Sequence, residues 1–356
     1  METDNLAELK ELGWTDDFAS AFAALDDSTL QPARISADYG AGVLVETASG
    51  PLEATLAGSL RRAGRLVAVG DWVALQRRAG SARVCEILPR HTAVSRKAPD
   101  AGVEEQVLAA NVDVMFIATA LGPDFNARRI ERLLTVAYQS GAAPVVLLTK
   151  ADLDDVTSYL SEVAAVAPGV PTLAVSALRG EGIDDVRGQL SPGRTAVLIG
   201  SSGVGKSTLI NALLEEPVLR TRAVHQTGQG RHTTSHRQLV RVPGGGSIID
   251  TPGLREIQLW AGKEALGQVF ADVENLAREC RFNDCQHEDE PDCAVRAAIV
   301  DRRLEPARLA NYRKLQRELR SIQVRADVRL RIEERRRWRV INRAVEEQMK
   351  VKRRWD

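Results

Sequence analysis

Apolar residues recur at helical spacing through the first thirty positions: Leu6, Leu9 and Leu12, then Phe18, Phe22 and Leu25. That period predicts a short helical segment over residues 5–30, read as a solvated or loosely docked extension. From about Arg34 to Leu88 the pattern shortens to β-rich runs punctuated by glycine. Residues 42–45, 52–56, 66–69, 72–75 and 83–88 are the expected strands. Regular spacing of this kind fits a small barrel, with an OB-fold as the economical form among small β-domains. Residues 89–99 read as a linker. Beyond them, unbroken apolar runs at 112–118, 145–148, 173–175, 196–199 and 247–249 predict strands buried on both faces of a parallel sheet. Helical segments at 127–139 and 156–166 alternate with these strands, which makes a doubly wound α/β domain. The remainder is helical. The expected division is an acidic extension (1–33), a β-barrel (34–95), an α/β core (96–270) and a C-terminal helical domain (271–356).

Charge sharpens this picture. The 356-residue chain balances 48 basic against 48 acidic residues, but the average hides a gradient. Glu2, Asp4, Glu8, Glu11, Asp16, Asp17, Asp26 and Asp27 face Lys10 alone in the first thirty residues. From Arg302 onward there are 19 Lys/Arg against 8 Asp/Glu, a net of +11. A basic end on a neutral chain points to a polyanionic partner, nucleic acid first; a solvated helix is the alternative. No apolar run is long enough to span a bilayer, and Met1-Glu2-Thr3-Asp4 lacks the basic and apolar regions of a secretory signal. A cytoplasmic location without membrane contact is expected.

Four cysteines do not make a disulfide framework in a chain of this length. Cys85 stands alone and reads as a small core residue. Cys280, Cys285, His287 and Cys293 crowd together, offering three thiolates and one imidazole. That set suits one structural Zn²⁺ per chain in a closed tetrahedron, against the plainer reading of three reduced, buried cysteines.

The strongest motif is Gly200-Ser201-Ser202-Gly203-Val204-Gly205-Lys206-Ser207. It follows an apolar strand and opens a helix at Thr208, the context in which this pattern is a phosphate loop. Its glycines let backbone N–H groups close around phosphate oxygens. Lys206 would reach the β- and γ-phosphates, and the Ser207 hydroxyl would hold Mg²⁺. Thr149-Lys150-Ala151-Asp152 ends another apolar run. A carboxylate there accepts the N1 and 2-amino hydrogens of guanine, which adenine cannot offer as a pair, so Asp152 selects GTP and GDP. Ser176-Ala177-Leu178 follows a third strand and is a weaker second base loop. Asp250-Thr251-Pro252-Gly253 places Asp250 for Mg²⁺ through water and the Gly253 N–H for the γ-phosphate. Between the phosphate motifs, the polar loop from Gly228 to Ser235 offers Thr233 or Thr234 to the metal.

In familiar GTPases the phosphate loop comes first; here the base motifs precede it. This permuted order, Gly70-Asp71-Trp72-Val73 in the barrel, Ala109-Ala110-Asn111-Val112-Asp113 and the Cys/His cluster together resemble the small ribosomal subunit-dependent GTPase A family (YjeQ/RsgA). The resemblance covers roughly residues 35–330. It implies GTP hydrolysis in late maturation of the small ribosomal subunit, with that subunit and its rRNA as partners; a monomer is expected. Other readings are a different P-loop NTPase, or an RNA-binding protein with a degenerate nucleotide site. One departure is Thr149, where most GTPases carry Asn. Another is Leu254, at the position where many GTPases use a Gln to orient water. His232 is the internal candidate for that role, and the resemblance supports it; His225 and His236 are read as ordinary loop residues, and a surface role for His232 is the alternative.

Overall fold

A computed structural model of the chain describes residues 3–78, 81–97, 105–215, 237–250 and 263–326. It forms two compact units, residues 1–96 with 106–258 and residues 97–105 with 259–356.

The first unit opens with two helices, α1 (Thr3–Glu11) and α2 (Asp16–Ala23). They are separate because Gly13 turns the chain at φ +92°, and Thr15 caps α2 by accepting the Phe18 N–H. A Cβ at Gly13 would lie 2.6 Å from the Gly193 carbonyl oxygen, so only glycine permits this approach. The extension is therefore not the loosely docked appendage its acidic sequence predicts. Leu9, Leu12, Trp14 and Phe18 are buried in one cluster with Trp72 and Leu88. Trp14 meets Trp72 edge-on at 4.7 Å, and Phe18 stacks on His91 at 4.2 Å. Its acidic side holds Arg241 through Glu11 and, at 3.7 Å, Glu8.

Next comes a barrel of β1 (Leu30–Asp38), β2 (Val43–Thr47), β3 (Gly50–Leu56), helix α3 (Gly58–Arg62), β4 (Trp72–Arg78) and β5 (Ser81–Ile87). Strand order β1-β2-β3-β5-β4 closes through a β4–β1 pairing, with β3–β5 parallel and the other pairs antiparallel. This five-stranded closed barrel is the OB-fold arrangement. Ile35, Val43, Val45, Val73, Leu75 and Val84 fill it. Two expectations fail. Residues 66–69 are not a strand: Leu66 is 70% exposed, and Val69 forms only an isolated bridge to Ala109. The missing strand is β1, whose apolar alternation is broken by Pro32 and by Arg34, a cation that the fold buries. Residues 93–97, expected as linker, form β6 (Ala93–Lys97) and pair with β7 (Glu105–Ala110). Cys85 is half-buried outside the barrel core, its thiol 3.6 Å from the Arg83 carbonyl.

The α/β core follows as β8 (Val114–Ala120), α4 (Ala127–Ser140), β9 (Ala143–Thr149), α5 (Val156–Val166), β10 (Thr172–Val175), α6 (Ile183–Gly188), β11 (Thr195–Gly200), α7 (Lys206–Leu214), β12 (Gln238–Arg241) and β13 (Ser247–Asp250). The sheet runs β10-β9-β8-β11-β13-β12, parallel except for β12. β8 and β11 are buried along their whole length, as unbroken apolar runs require. β12 has no such signal in its four residues. It pairs β13 on one side and, at Ala37↔Gln238, β1 of the barrel on the other.

The motifs at residues 70–73 and 109–113 meet at this junction. Gly70 sits at φ +95°, where a Cβ would fall 2.1 Å from the Ala110 carbonyl oxygen. Arg34 donates to the carbonyls of Leu12, Gly70 (3.2 Å) and Asn111 (3.1 Å). Burial holds its pKa down to about 10, opposed by Asp113 and Asp71. Asp71, itself buried, takes a two-pronged contact from Arg90 at 2.6 and 2.8 Å.

The second unit contains α8 (Lys263–Val269), α9 (Ala271–Arg278), α10 (Ala294–Val300) and α11 (Pro306–Ala326). Leu309, Tyr312, Leu315 and Leu319 give α11 a buried face. Arg308 anchors it with bonds of 2.5 and 2.8 Å to Asp272, its guanidinium 4.8 Å over the Phe270 ring. Arg335-Arg336-Arg337 lies outside the described residues.

Candidate functional site

Every parallel strand of the core delivers its C-terminal end to the same edge, where ligands bind in open α/β sheets. β11 ends at Gly200, whose φ of +150° and tight approach to Ala118 (2.4 Å from a built Cβ to the carbonyl oxygen) exclude a side chain. Gly203 and Gly205 also have positive φ, and the loop then enters α7 at Lys206. Ser201, Ser202 and Val204 lie between β11 and α7, with Val204 buried, and Ser207 and Thr208 stand in the first turn of α7. The Lys206 ammonium donates to the carbonyls of Gly200 at 2.8 Å and Ser201 at 2.6 Å. It thus lies across the cradle it would share with phosphate. At the end of neighbouring β13, burial raises the pKa of Asp250 while the Lys206 charge opposes that shift. The acid that would face Mg²⁺ is therefore close to the lysine that would face phosphate.

Thr149 ends β9 and is buried. Its Oγ1 lies 2.7 Å from the Val204 carbonyl in the phosphate loop and 3.2 Å from that of Thr119. The base loop is thereby tied directly to the phosphate loop, a link that the four-residue pattern did not reveal. Lys150 takes a left-handed conformation at φ +56°. Asp152 accepts the Ser176 hydroxyl at 2.6 Å, and that bond is the main cause of its lowered pKa, helped by Arg179 and Lys150. Ser176 is itself held by a backbone bridge to Glu181, and Ala151 donates to Val175 at 3.1 Å. Ala177 packs against the core cluster. The two candidate base segments, 24 residues apart at the Asp152–Ser176 bond, are thereby joined. Arg129, at the start of α4, reaches the loop after β11, donating to the Ser201 hydroxyl at 3.3 Å. Sequence reasoning passed over this residue; its signal was a pair of arginines in the first turn of a helix.

His232, Thr233, Thr234 and Gly253, with His225, His236 and Leu254, lie outside the described residues.

In the second unit, one ligand atom each from Cys280, Cys285, His287 and Cys293 falls within 4.8 Å of the others, a set able to hold a metal ion. The Cys280–Cys293 sulfurs are 3.8 Å apart, and His287 Nδ1 lies 3.6 and 3.5 Å from them. A tetrahedral zinc with Zn–S of about 2.3 Å and Zn–N of about 2.0–2.1 Å requires edges of about 3.8 and 3.6 Å. Burial, then the Arg313 charge, lowers the pKa of His287 and favours the neutral imidazole that ligates metal. No helix among the described residues is long and apolar enough to cross a membrane.

Comparison with known proteins agrees with this geometry. Residues 87–260 match the model of the RsgA GTPase family, and residues 195–343 match one described as 50S ribosome-binding GTPase. The small ribosomal subunit biogenesis GTPase RsgA of Opitutus terrae is 45% identical over 365 residues, 98% of this chain and 100% of that protein. Its namesake from Streptomyces coelicolor is 46% identical over 335 residues, 92% and 91% of the two chains. The crystal structure of YjeQ from Thermotoga maritima superposes with a TM-score of 0.64 at 28% identity, covering 82% of this chain and 98% of that one. YloQ, a circularly permuted GTPase, shares the fold at a TM-score of 0.61 and 22% identity, covering 83% and 96%. Thr149, which precedes the 200–207 loop in sequence yet meets Val204 in space, fits the permuted order, and identity that runs nearly end to end makes this chain a member of the RsgA GTPase family.

Proposed function

We propose that the protein binds GTP, hydrolyses it to GDP and phosphate, and acts in maturation of the small ribosomal subunit, which stimulates the reaction. The observation that carries the nucleotide assignment is the Thr149–Val204 bond together with Asp152 held by Ser176. These contacts support reading Asp152 as the carboxylate that meets guanine, in a segment tied to the phosphate cradle. The subunit assignment comes from the relatives, whose names specify the small ribosomal subunit.

In this reading Gly200 to Thr208 bind the phosphates, with Lys206 on the β- and γ-oxygens. Thr149, Lys150, Asp152, Ser176 and Ala177 bind the base. Ser207, Asp250 and Thr233 or Thr234 would hold Mg²⁺, which would supply positive charge to neutralise the phosphates during transfer. His232 orients the attacking water and Gly253 senses the γ-phosphate. Cys280, Cys285, His287 and Cys293 would hold one structural Zn²⁺; the separations among Cys280, His287 and Cys293 fit its tetrahedron, and Cys285 lies within 4.8 Å of them. The barrel and the basic C-terminal region contact rRNA. The protein works in the cytoplasm as a monomer, and its functional segments are residues 1–33, 34–95, 96–270 and 271–356.

The test is turnover of GTP and ATP by the intact chain, alone and with isolated small or large ribosomal subunits. GTP-specific turnover accelerated by small subunits is expected. Equal use of ATP would overturn the base assignment, and stimulation by large subunits alone would overturn the partner.

A further inference from the structure

α4 begins with two cations, Arg128 and Arg129, at the helix end whose dipole disfavours positive charge. Arg128 is explained by its 2.7 Å ion pair with the buried Glu131. Arg129 is exposed and has no carboxylate partner among the described residues. Its Nη1 donates to the Ser201 hydroxyl at 3.3 Å and the Asp124 carbonyl at 3.4 Å, both long bonds to neutral acceptors.

Ser201 is not a neutral location. Its carbonyl oxygen is 2.6 Å from the Lys206 ammonium, the group that reaches β- and γ-phosphates in a phosphate loop. Two cations therefore flank the second residue of the loop, one from the motif itself and one from a helix 72 positions earlier in the chain. A cation held by weak neutral contacts beside an anion cradle is poised for an anion.

We infer that Arg129 is an arginine supplied in cis, which leaves the Ser201 hydroxyl for the terminal phosphate when GTP binds and stabilises its charge during transfer. In that step the water oxygen attacks the γ-phosphorus and the bond to the β–γ bridging oxygen breaks, its electron pair leaving with GDP. The water's protons end on the released phosphate and its solvent, while the guanidinium keeps its own protons. Phosphoryl transfer depends on positioning and charge neutralisation, and arginines at the γ-phosphate serve the second need. Leu254 leaves the usual water-orienting position without a polar atom. His232 is assigned to the water; Arg129 answers the separate requirement for charge.

The inference rests on the proposed GTP hydrolysis, and the experiment separates the two. The intact chain and its Arg129→Ala and Arg129→Lys variants are compared for GTP turnover, alone and with saturating small ribosomal subunits. GDP binding is measured with and without aluminium fluoride, which mimics the transferring phosphoryl group, and melting temperature is recorded. Arg129→Ala should lower kcat by about tenfold or more, the scale for losing one transition-state donor. KM for GTP and affinity for GDP should stay within about threefold, the fluoride-dependent gain in affinity should shrink, and Arg129→Lys should recover part of the rate. Wild-type kcat in Arg129→Ala under both conditions overturns the inference. So does a parallel fall in GDP affinity and melting temperature without a kcat effect, which marks a loop buttress. A wild-type chain that binds GTP without turning it over overturns the proposed hydrolysis, and this role with it.

Discussion

Replacing Thr149 by Val tests whether the base loop and the phosphate loop act as one site. The two side chains have nearly the same shape, so the change removes a hydroxyl and little else. A hydroxyl carries one hydrogen, and the 2.7 Å contact to Val204 is the shorter of its two options. Thr149 is 4% exposed and Val204 1%, so water cannot easily replace the lost donor. Stranding a buried carbonyl costs about 1–3 kcal/mol. Part of that penalty will be relieved by movement of the loop, since glycines border Val204 on both sides. If about 1–2 kcal/mol remains as a looser nucleotide site, GDP and GTP affinities fall by about 5–30-fold. Titration of the intact chain with a fluorescent guanine nucleotide measures this, with melting temperature as a control for global damage. Thr149→Ser retains the donor and should bind within about threefold of wild type. Wild-type affinity in Thr149→Val refutes the reasoning, as does equal loss in both variants, because the hydroxyl would then not be the cause.

Further outcomes follow from the same site and from the second unit. Asp152→Asn should weaken GTP binding and favour xanthosine nucleotides, whose 2-oxo group accepts from an amide; preference for guanosine in the variant would refute the carboxylate's role. Because the Ser176 hydroxyl holds the Asp152 pKa below its ordinary value, the carboxylate stays charged near neutrality and is lost only as pH falls through that lowered pKa. Guanine selectivity should therefore be flat between about pH 6 and 8. Elemental analysis of protein purified without chelators should find about one zinc per chain, and Cys285→Ser should loosen the second unit while sparing nucleotide affinity. His232→Ala should lower kcat with GTP affinity nearly unchanged; a loss confined to KM would mark a binding residue instead. Truncation after Ala326 removes 11 Lys/Arg and 6 Asp/Glu yet leaves α11 intact. It should reduce salt-sensitive association with small subunits and leave unstimulated hydrolysis unaltered, as checked by sedimentation at graded ionic strength.

What was legible in the sequence followed the strength of the physical signal. The phosphate loop has a fixed spacing set by phosphate geometry, and β8 and β11 are buried on both faces, so both were readable. The zinc candidates were readable because thiolates and imidazole seldom cluster without cause. Illegible elements owed their structure to distant partners. β1 contains Pro32 and Arg34, and it is a strand because β2 and β4 flank it and because Arg34 finds three carbonyls far away in sequence. β12 is too short for periodicity to register. α1 and α2 read as amphipathic and acidic, but nothing local indicates that their apolar face covers Trp72. The Arg129–Ser201 and Thr149–Val204 contacts were hidden for the same reason, being side chains that matter only once the strand order is known.

That dependence on distant partners bears on how the extension, the barrel and the core of the first unit work together. Arg34 gives one donor to Leu12 of the extension, one to Gly70 of the barrel and one to Asn111 at the entry to the core. A buried guanidinium that lost one acceptor would carry an unmet donor, and this is costly where water is excluded. Each segment is therefore held by a charge that needs the other two. β12 adds a second tie, sharing one edge with the strand that ends at Asp250 and the other with β1. Arg241 at its end is gripped by Glu8 and Glu11 from α1. Exposed ion pairs of that kind contribute little alone; the buried Trp14–Trp72 contact and the Arg34 network are the ties removed from water. Because β12 pairs with both the strand that ends at Asp250 and β1, displacement of β12 would be felt at both Asp250 and the barrel wall. The acidic extension is thus an integral part of the barrel–core unit, and its removal should be treated as damage to the fold before it is read as loss of a binding segment.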